Sequence, residues 1–397
     1  MKIPFSKSIL GEIKKERELV NNTILMFLAS FFQAISIFIV NLLLARFFTP
    51  TEFGEFRTIF YFVSFIPMLI DFGLSVTLSK YTPQFRVKER EKLNKLVRWS
   101  LKLRLTSFFV LLILLTIFAK QLSISLLHDP SRTYLIFLGF PLIISIFFNI
   151  FQSMTTGFEN FKVFFFSRVV TSISFFAFVL PFAYFFGLPY CLVGFALAYI
   201  LGNLYCLRFV AREGVFRKVD VNLDVKKIFF KFSIPIHVLS IPSYLGNVIV
   251  PILSLFFPLE LIGQYSFSFL FYYGGLIIPS SFASVLLPKI SKLKVMNDEN
   301  KIREILLKVF FAYSIIILII ITLILLFGEI LISTIAPNYL PGLLFFKVLA
   351  SFGLFSGYIS IYNSYLIAKE KIGMVALLIL LQHVLLFGIS FLLLKGV

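Results

Sequence analysis

The chain has 397 residues, of which 59% are hydrophobic and only 14% charged, and its formal net charge is +18. Soluble globular domains contain roughly 45–50% apolar and about 25% charged residues. This composition, with 54 Phe and two Cys, excludes an ordinary cytosolic protein, a disulfide-stapled secreted domain and a disordered tail. A chain this apolar also does not use its positive charge to bind nucleic acid.

The sequence predicts an all-α polytopic membrane protein. A spanning helix needs roughly 20 consecutive apolar residues, and about 21 polar residues precede the first such run, unlike a cleaved signal peptide. Eleven spans are predicted, at residues 22–46, 55–79, 99–119, 133–156, 163–186, 188–207, 230–256, 263–288, 305–327, 340–366 and 372–394. The weakest division is the sequence FFGLPY, Phe185 to Tyr190, between the fifth and sixth spans.

The basic residues are distributed unevenly between the two sides of these spans. With the N-terminus in the cytoplasm, 31 of the 37 Lys and Arg residues lie on the inner side and six on the outer side. Basic loops stay in the cytoplasm because translocating Lys and Arg is costly. The sequence therefore predicts a multi-pass protein of the cell membrane with a cytoplasmic N-terminus, and the alternation supports the number of spans.

Two outer turns have similar sequences. FFTPTEFGEF (Phe47 to Phe56) and FFPLELIGQY (Phe256 to Tyr265) both read FF, five residues, Gly, an acid or its amide, and an aromatic residue, at an offset of 209. The same offset maps the third, fourth and fifth spans onto the ninth, tenth and eleventh. A shared apolar composition gives a few such matches by chance but not five spans in phase, so the sequence predicts a duplication.

Six spans per copy would give both copies one orientation, as in transporters built from parallel repeats. We therefore expect two pseudo-symmetric helical lobes with the substrate between them. The predicted division is a cytoplasmic segment at 1–21, an N-lobe at 22–207, a basic linker at 208–229 and a C-lobe at 230–397. The counterpart of the sixth span would start where the sequence stops, so a twelfth helix is expected to be missing.

Residues 41–82 carry the most specific family signal. LLLARFFTPTEFGEF, followed by DFGLSVTLSKY from Asp71 to Tyr81, resembles the opening of Wzx-type polysaccharide flippases. These belong to the multidrug/oligosaccharidyl-lipid/polysaccharide exporter superfamily, which includes the MATE drug exporters. The resemblance implies a secondary transporter that moves a polyprenyl-pyrophosphate oligosaccharide from the inner to the outer leaflet by alternating access. Membrane lipid, and glycan polymerases or glycosyltransferases, would be its partners.

Polar residues inside the spans are the candidates for substrate contact, because ionisable groups at membrane depth are costly. Arg168 is the leading candidate for a phosphate contact, and we expect Arg168→Ala to impair transport more than Arg57→Ala. Arg46 and Arg57 either extend to the head groups or line a cationic cavity. The remaining candidates are one basic residue and four amides: Lys347, Asn41, Asn149, Gln152 and Asn247.

Coupling to H⁺ or Na⁺ has three candidates. Asp71 either pairs with a neighbouring base or carries a coupling ion, and His237 and His383 are either proton relays or hydrogen-bonded helix residues. The seventh span contains candidate hinge residues that indicate either a bendable helix or a packed kink: Pro235, Pro242, Pro251 and Gly246.

Several kinds of site have no sequence signal. The chain contains no phosphate-binding GxxxxGK[ST] loop, no Cys or His at metal-ligand spacing and no long outer loop with paired carboxylates, so we expect no enzyme, cofactor or metal. Three alternatives remain open: a cation-coupled multidrug exporter, which would need carboxylates in the membrane; a membrane glycosyltransferase or polymerase; and a non-transporting scaffold.

Overall fold

The computed structural model describes residues 5–295 and 298–396, and over those ranges it is built of helices and short connections without a strand. Ten helical segments are long and apolar enough to cross a membrane, and a bent pair of helices forms an eleventh. The predicted all-α polytopic architecture is thus confirmed, and the bent pair accounts for the eleven predicted spans. Residues 1–4 of the predicted N-terminal segment lie outside the described ranges.

The first six spans use ten helices, several of which are collinear pieces of one span. They are α1 (Phe5–Phe47), α2 (Pro50–Leu69), α3 (Leu74–Lys88), α4 (Arg90–Leu127), α5 (Thr133–Leu138), α6 (Phe140–Phe147), α7 (Ile150–Gly157), α8 (Phe161–Ser174), α9 (Leu180–Phe186) and α10 (Cys191–Arg212). Gly187, with φ of 93°, ends α9, and the single turn Leu188–Tyr190 leads into α10. This confirms the predicted division between the fifth and sixth spans.

The remaining spans follow the connection at residues 213–224. They are formed by α11 (Val225–Ile228), α12 (Ile234–Tyr244), α13 (Ile249–Ser254), α14 (Leu259–Val295), α15 (Glu299–Ile335), α16 (Leu343–Ala368) and α17 (Ile372–Lys395). Three of these helices, α14, α16 and α17, show almost no separation of apolar and polar faces, as expected for segments that meet lipid on one face and other helices on the other.

The second span is broken, which the sequence interpretation missed. A run at 55–79 was predicted, with Asp71 near its inner end. Instead, α2 and α3 meet at an angle of 49°, and Asp71 lies at the break, with α3 continuing to Lys88. Phe72 and Gly73 cause the break, since both have positive φ (49° and 72°), a conformation that ends a right-handed helix.

Helix bounds follow the predicted repeat. The helices α2 and α14 begin at Pro50 and Leu259, and α4 and α15 begin at Arg90 and Glu299; each pair is 209 positions apart. The offset of 209 found in the sequence therefore also separates the first residues of equivalent helices. The exact lobe boundaries stay a prediction.

The hydrophobic cores show how the two halves are arranged. We call the side that carries residues 213–224 the linker face, and the side that carries residues 128–132 and 337–342 the far face. Buried residues from both halves form one shared core toward the far face. Toward the linker face there are two separate cores, one in each half. The halves therefore share one core at the far face. Toward the linker face their cores are separate, with a cleft between α1 and α14, and the seventh span still contacts the first half there, since the Ser233 and Thr77 hydroxyl oxygens lie 2.7 Å apart.

Candidate functional site

A central cavity lies where the two halves meet. It has a volume of about 400 Å³ and is bounded by α1, α2, α14 and the turn Leu245–Asn247. Three predicted substrate-contact residues line it together: Asn41, Arg57 and Asn247. Aromatic and hydroxyl side chains also line the cavity: Phe60, Tyr61, Ser243 and Tyr273.

Arg57 supplies the positive charge of this cavity. Only 3% of its surface is exposed. One terminal nitrogen donates a hydrogen bond to Asn41 Oδ1 at 2.8 Å, and the other donates to the Tyr61 hydroxyl. Among the described residues, no carboxylate forms an ion pair with Arg57. Its Nε is buried without a hydrogen-bond partner. A buried guanidinium without a counter-charge is costly, so this arrangement is suited to an anionic ligand.

The surrounding helices hold the Arg57 side chain in place. Asn41 donates its own amide hydrogen to the Ile37 carbonyl at 2.7 Å, which leaves Asn41 Oδ1 directed at the guanidinium. The guanidinium carbon also lies 4.3 Å from the Tyr61 ring centre and 5.4 Å from that of Phe60. Cation–π contacts and two hydrogen bonds fix a planar fork, so Arg57 is preorganised before a ligand arrives.

Two apolar spaces adjoin the central cavity. One, of about 410 Å³, shares Ala34 and Ile277 with it and extends between α1 and α14 past Met26 and Ser280. The other, also about 410 Å³, shares Phe38 and lies against α15 and α16. The cationic centre therefore lies beside a space with two serines in its wall, Ser30 and Ser280, and beside an almost wholly apolar one, an arrangement that matches a molecule with an anionic head and an apolar tail.

Two glycines close the far face. A Cβ atom on Gly54 of α2 would lie 2.0 Å from the Leu259 carbonyl oxygen, and one on Gly263 of α14 would lie 1.7 Å from the Pro50 carbonyl oxygen. Gly54 and Gly263 are the equivalent glycines of the two repeat copies. Because only glycine permits this approach, α2 and α14 cross backbone to backbone, and the far end of the cleft is shut.

Hydrogen bonds between the two halves reinforce this closure. The Tyr339 hydroxyl, from the second half, donates toward the Phe48 and Thr49 carbonyls at 3.3 and 3.4 Å. His128, from the first half, bonds through Nε2 to the Ser254 carbonyl at 2.8 Å. Each contact ties a far-face connection of one half to the end of a span in the other. Sequence reasoning missed both residues, since their partners are backbone atoms distant in sequence.

Asp71 forms a buried ion pair with a base that sequence reasoning missed. Arg104 donates to Asp71 Oδ1 at 2.8 Å and to the Ser75 hydroxyl at 3.3 Å. Arg104 falls within the predicted span at 99–119 but was not among the sequence candidates. Only 2% of its surface is exposed, and its guanidinium carbon lies 5.2 Å from the Phe147 ring centre. Of the two readings of Asp71, its position favours structural pairing with a base.

We expect Arg104→Met to destabilise the protein by about 3–5 kcal/mol, because it leaves the Asp71 carboxylate buried without its partner. Thermal unfolding in detergent would measure the loss. Lys102→Met is the matched control, since it removes an exposed charge two positions away. The double variant Asp71→Asn with Arg104→Met should recover most of the stability. A neutral effect of Arg104→Met alone would contradict this role.

The other predicted substrate-contact residues do not line the central cavity. Arg168 instead donates to Gln33 Oε1 between α8 and α1, with its guanidinium carbon 5.1 Å from the Phe164 ring centre. Its Nε is also without a partner, but it lies inside the first half. Asn149 accepts from Asn203 at 3.0 Å. The last three are dispersed, with Arg46 exposed, Lys347 half-buried in α16 and Gln152 buried in α7.

The predicted coupling and hinge residues lie along the seventh span and beside it. His237 lies near Phe72 at the break of the second span, with ring centres 6.1 Å apart and the ring planes tilted by 56°. His383 donates its Nδ1–H to the Ile379 carbonyl at 2.8 Å, and a Cβ on Gly246 would lie 3.0 Å from His383 Nε2. The α-helix of this span is interrupted twice. One π-helical turn, Phe229–Ser233, comes just before Pro235, and one 3₁₀ turn, Leu245–Asn247, lies between Pro242 and Pro251. Hinge motion there stays a prediction.

Comparison with known proteins agrees with this architecture. The family model described as polysaccharide biosynthesis protein matches residues 19–294. No curated protein matches the sequence.

Solved structures with the same fold are transporters. An inward-facing multidrug resistance MATE family transporter of the MOP superfamily has 15% identity, a TM-score of 0.59 and coverage of 92% of this chain and 94% of its own. A MATE protein in complex with MaL6 has 13% identity and a TM-score of 0.63, with 95% and 88% covered. A MOP superfamily transporter from Pyrococcus furiosus has 14% identity and a TM-score of 0.51, with 96% and 95% covered. At these identities the likeness establishes the fold.

Proposed function

Because this chain belongs to the polysaccharide biosynthesis protein family and has the fold of MATE transporters, we propose that it flips a lipid-linked oligosaccharide across the cell membrane. The proposed substrate is a polyprenyl-pyrophosphate sugar moved from the inner to the outer leaflet by alternating access. The observation that carries the proposal is that Arg57, buried and without a carboxylate partner among the described residues, lines the cavity beside an apolar space.

The geometry suggests how each part of such a substrate would be held. Pyrophosphate oxygens would accept hydrogen bonds from Arg57, whose Nε is free and whose fork is fixed by Asn41 and Tyr61. Amide and hydroxyl groups of Asn247 and Ser243 would meet sugar hydroxyls. The polyprenyl tail would leave the cavity between α1 and α14 and stay in the apolar space.

The closed far face corresponds to one state of the proposed cycle. With the linker face in the cytoplasm, as the distribution of basic residues predicts, the space between α1 and α14 would lead from the cavity toward the inner leaflet, where the substrate is made. Release would require α2 and α14 to separate at Gly54 and Gly263 and the linker side to close. The breaks in the second and seventh spans lie where such rocking would bend the chain.

A cation-coupled multidrug exporter is the second candidate. A cationic drug would be attracted by carboxylates in the cavity, but its lining residues include an arginine and no Asp or Glu. Asp71, the acid expected to serve such an exporter, is already neutralised by Arg104. The charge of the cavity therefore favours an anionic substrate. Proton or Na⁺ coupling through His237 or His383 is compatible with either transporter.

The test is translocation in proteoliposomes. We expect the purified protein to carry a fluorescent undecaprenyl-pyrophosphate oligosaccharide between leaflets, measured as the fraction of label that dithionite reduces from outside. Empty liposomes set the background. Proton-driven efflux of a cationic dye without translocation of the fluorescent lipid would overturn the proposal in favour of drug export.

A further inference from the structure

A basic pocket lies at the linker face of the first half, on its exposed surface and away from the central cavity. It has a volume of about 330 Å³ and sits at the linker-face ends of α8 and α10. Its walls are two arginines one helical turn apart, two aromatic residues and one valine: Arg208, Arg212, Tyr205, Phe209 and Val163.

The charge of this pocket is not compensated by the protein. Arg208 and Arg212 are exposed, and neither makes a hydrogen bond or ion pair to another described residue. The two acids that directly flank these helix ends pair with other arginines, since Glu159 lies 3.9 Å from Arg86 and Glu213 lies 3.0 Å from Arg90. Two guanidinium groups at positions i and i+4 face the same side of a helix, so they can hold one anionic group together.

The surroundings of the pocket place it in the membrane interface. Leu201, Leu204 and Tyr205 of α10 and Phe166 of α8 are 40–51% exposed, which puts an apolar, lipid-facing surface directly beside the two arginines. Arginines at the end of a span lie at head-group level. An acidic protein segment would have to reach this rim through lipid head groups, whereas phospholipid head groups lie at the same depth as the pocket.

We propose that this pocket binds the head group of an anionic phospholipid. Arg208 and Arg212 hold its phosphate with bidentate hydrogen bonds, while Tyr205, Phe209 and Val163 contact its glycerol and upper acyl chain. Basic pockets between membrane helices on the cytoplasmic side have this lipid chemistry. The site is independent of the proposed flipping activity, because none of its residues lines the central cavity.

The experiment measures lipid retention by native mass spectrometry of the full chain in detergent, titrated with phosphatidylglycerol. We expect Arg208→Ala with Arg212→Ala to lower its apparent affinity at least about tenfold, since each basic residue contributes near the membrane surface. Arg217→Ala with Lys218→Ala removes the same charge from the neighbouring connection and should retain the lipid as the wild type does. Arg208→Lys with Arg212→Lys keeps the charge and should show an intermediate loss.

The remaining arms distinguish the source of the anion. Phosphatidylcholine should not compete for the site, and inorganic phosphate should neither displace phosphatidylglycerol nor raise the melting temperature. Equal retention by the wild type and the Arg208→Ala, Arg212→Ala variant would overturn the site. An equal loss in the linker variant would show that net charge alone is responsible, and displacement by inorganic phosphate or by an acidic peptide would overturn the lipid assignment.

Discussion

Arg57→Ala is expected to lower the translocation rate of the fluorescent lipid-linked oligosaccharide by roughly ten- to hundredfold. A hydrogen bond to a charged partner in a buried site contributes about 1.5–3 kcal/mol, and Arg57 is the cation that lines the central cavity. The measurement is the initial rate at which the label becomes reducible by dithionite added outside the proteoliposomes, at limiting substrate. Arg57→Lys should lose part of the rate, because a lysine keeps the charge but not the planar fork that Asn41 and Tyr61 hold.

Two other arginines among the predicted substrate contacts serve as controls. Arg46 is exposed at the end of α1, so Arg46→Ala should transport normally. Arg168 bonds to Gln33 inside the first half, so Arg168→Ala should cost less than Arg57→Ala, the reverse of the order predicted from sequence alone. Normal transport by a correctly folded Arg57→Ala protein, together with loss in Arg168→Ala, would restore the original order and remove the cavity assignment.

The span pattern was readable from sequence because apolar length and basic loops report it directly. The repeat was readable because FFTPTEFGEF and FFPLELIGQY mark the same turn in both copies, and helix starts at Pro50 and Leu259 follow their offset. Asn41, Arg57 and Asn247 were found as polar residues in apolar runs. What was not readable is the direction in which each of them points.

That direction is lost because membrane helices are apolar on every side, so periodicity does not identify the cavity-facing side. Depth along the helix alone made Arg168 look central and Arg57 peripheral. In the structure Arg168 bonds to Gln33 inside the first half, whereas Arg57 bonds to Asn41 and lines the central cavity. The pairing of Arg104 with Asp71 was missed for a related reason. Arg104 follows a charge-rich stretch, and only the break at Phe72 and Gly73 brings the acid beside it.

The closed far face gives the second large prediction. In the present state the α2 and α14 backbones touch at Gly54 and Gly263, where a methyl group would lie within 2.0 Å of a carbonyl oxygen. A side chain can rotate away from such a clash, but two helix backbones can relieve it only by moving apart. Gly263→Ala should therefore destabilise the far-closed state by about 1–3 kcal/mol, the usual cost of overpacking, and leave a far-open state unaffected.

We expect this shift to be visible as altered access to the cavity. A cysteine in place of Ser243, which lines the cavity, is expected to be protected from a membrane-impermeant maleimide added outside the cell. The native Cys191 and Cys206 are buried and should contribute little background. In Gly263→Ala the external labelling rate should rise roughly five- to hundredfold, and Gly54→Ala should act in the same direction, because the two glycines occupy equivalent places in the crossing.

Gly388→Ala is the matched control for the glycine substitutions. Gly388 lies within α17 and has no atom within 4 Å of an added Cβ, so alanine there should leave the labelling rate unchanged and slightly favour the helix. External labelling of Gly263→Ala at the wild-type rate would show that the two backbones do not close the far face. Because the clash acts on one state only, transport should fall even though Arg57 and the rest of the cavity are intact, which separates a gating defect from a binding defect.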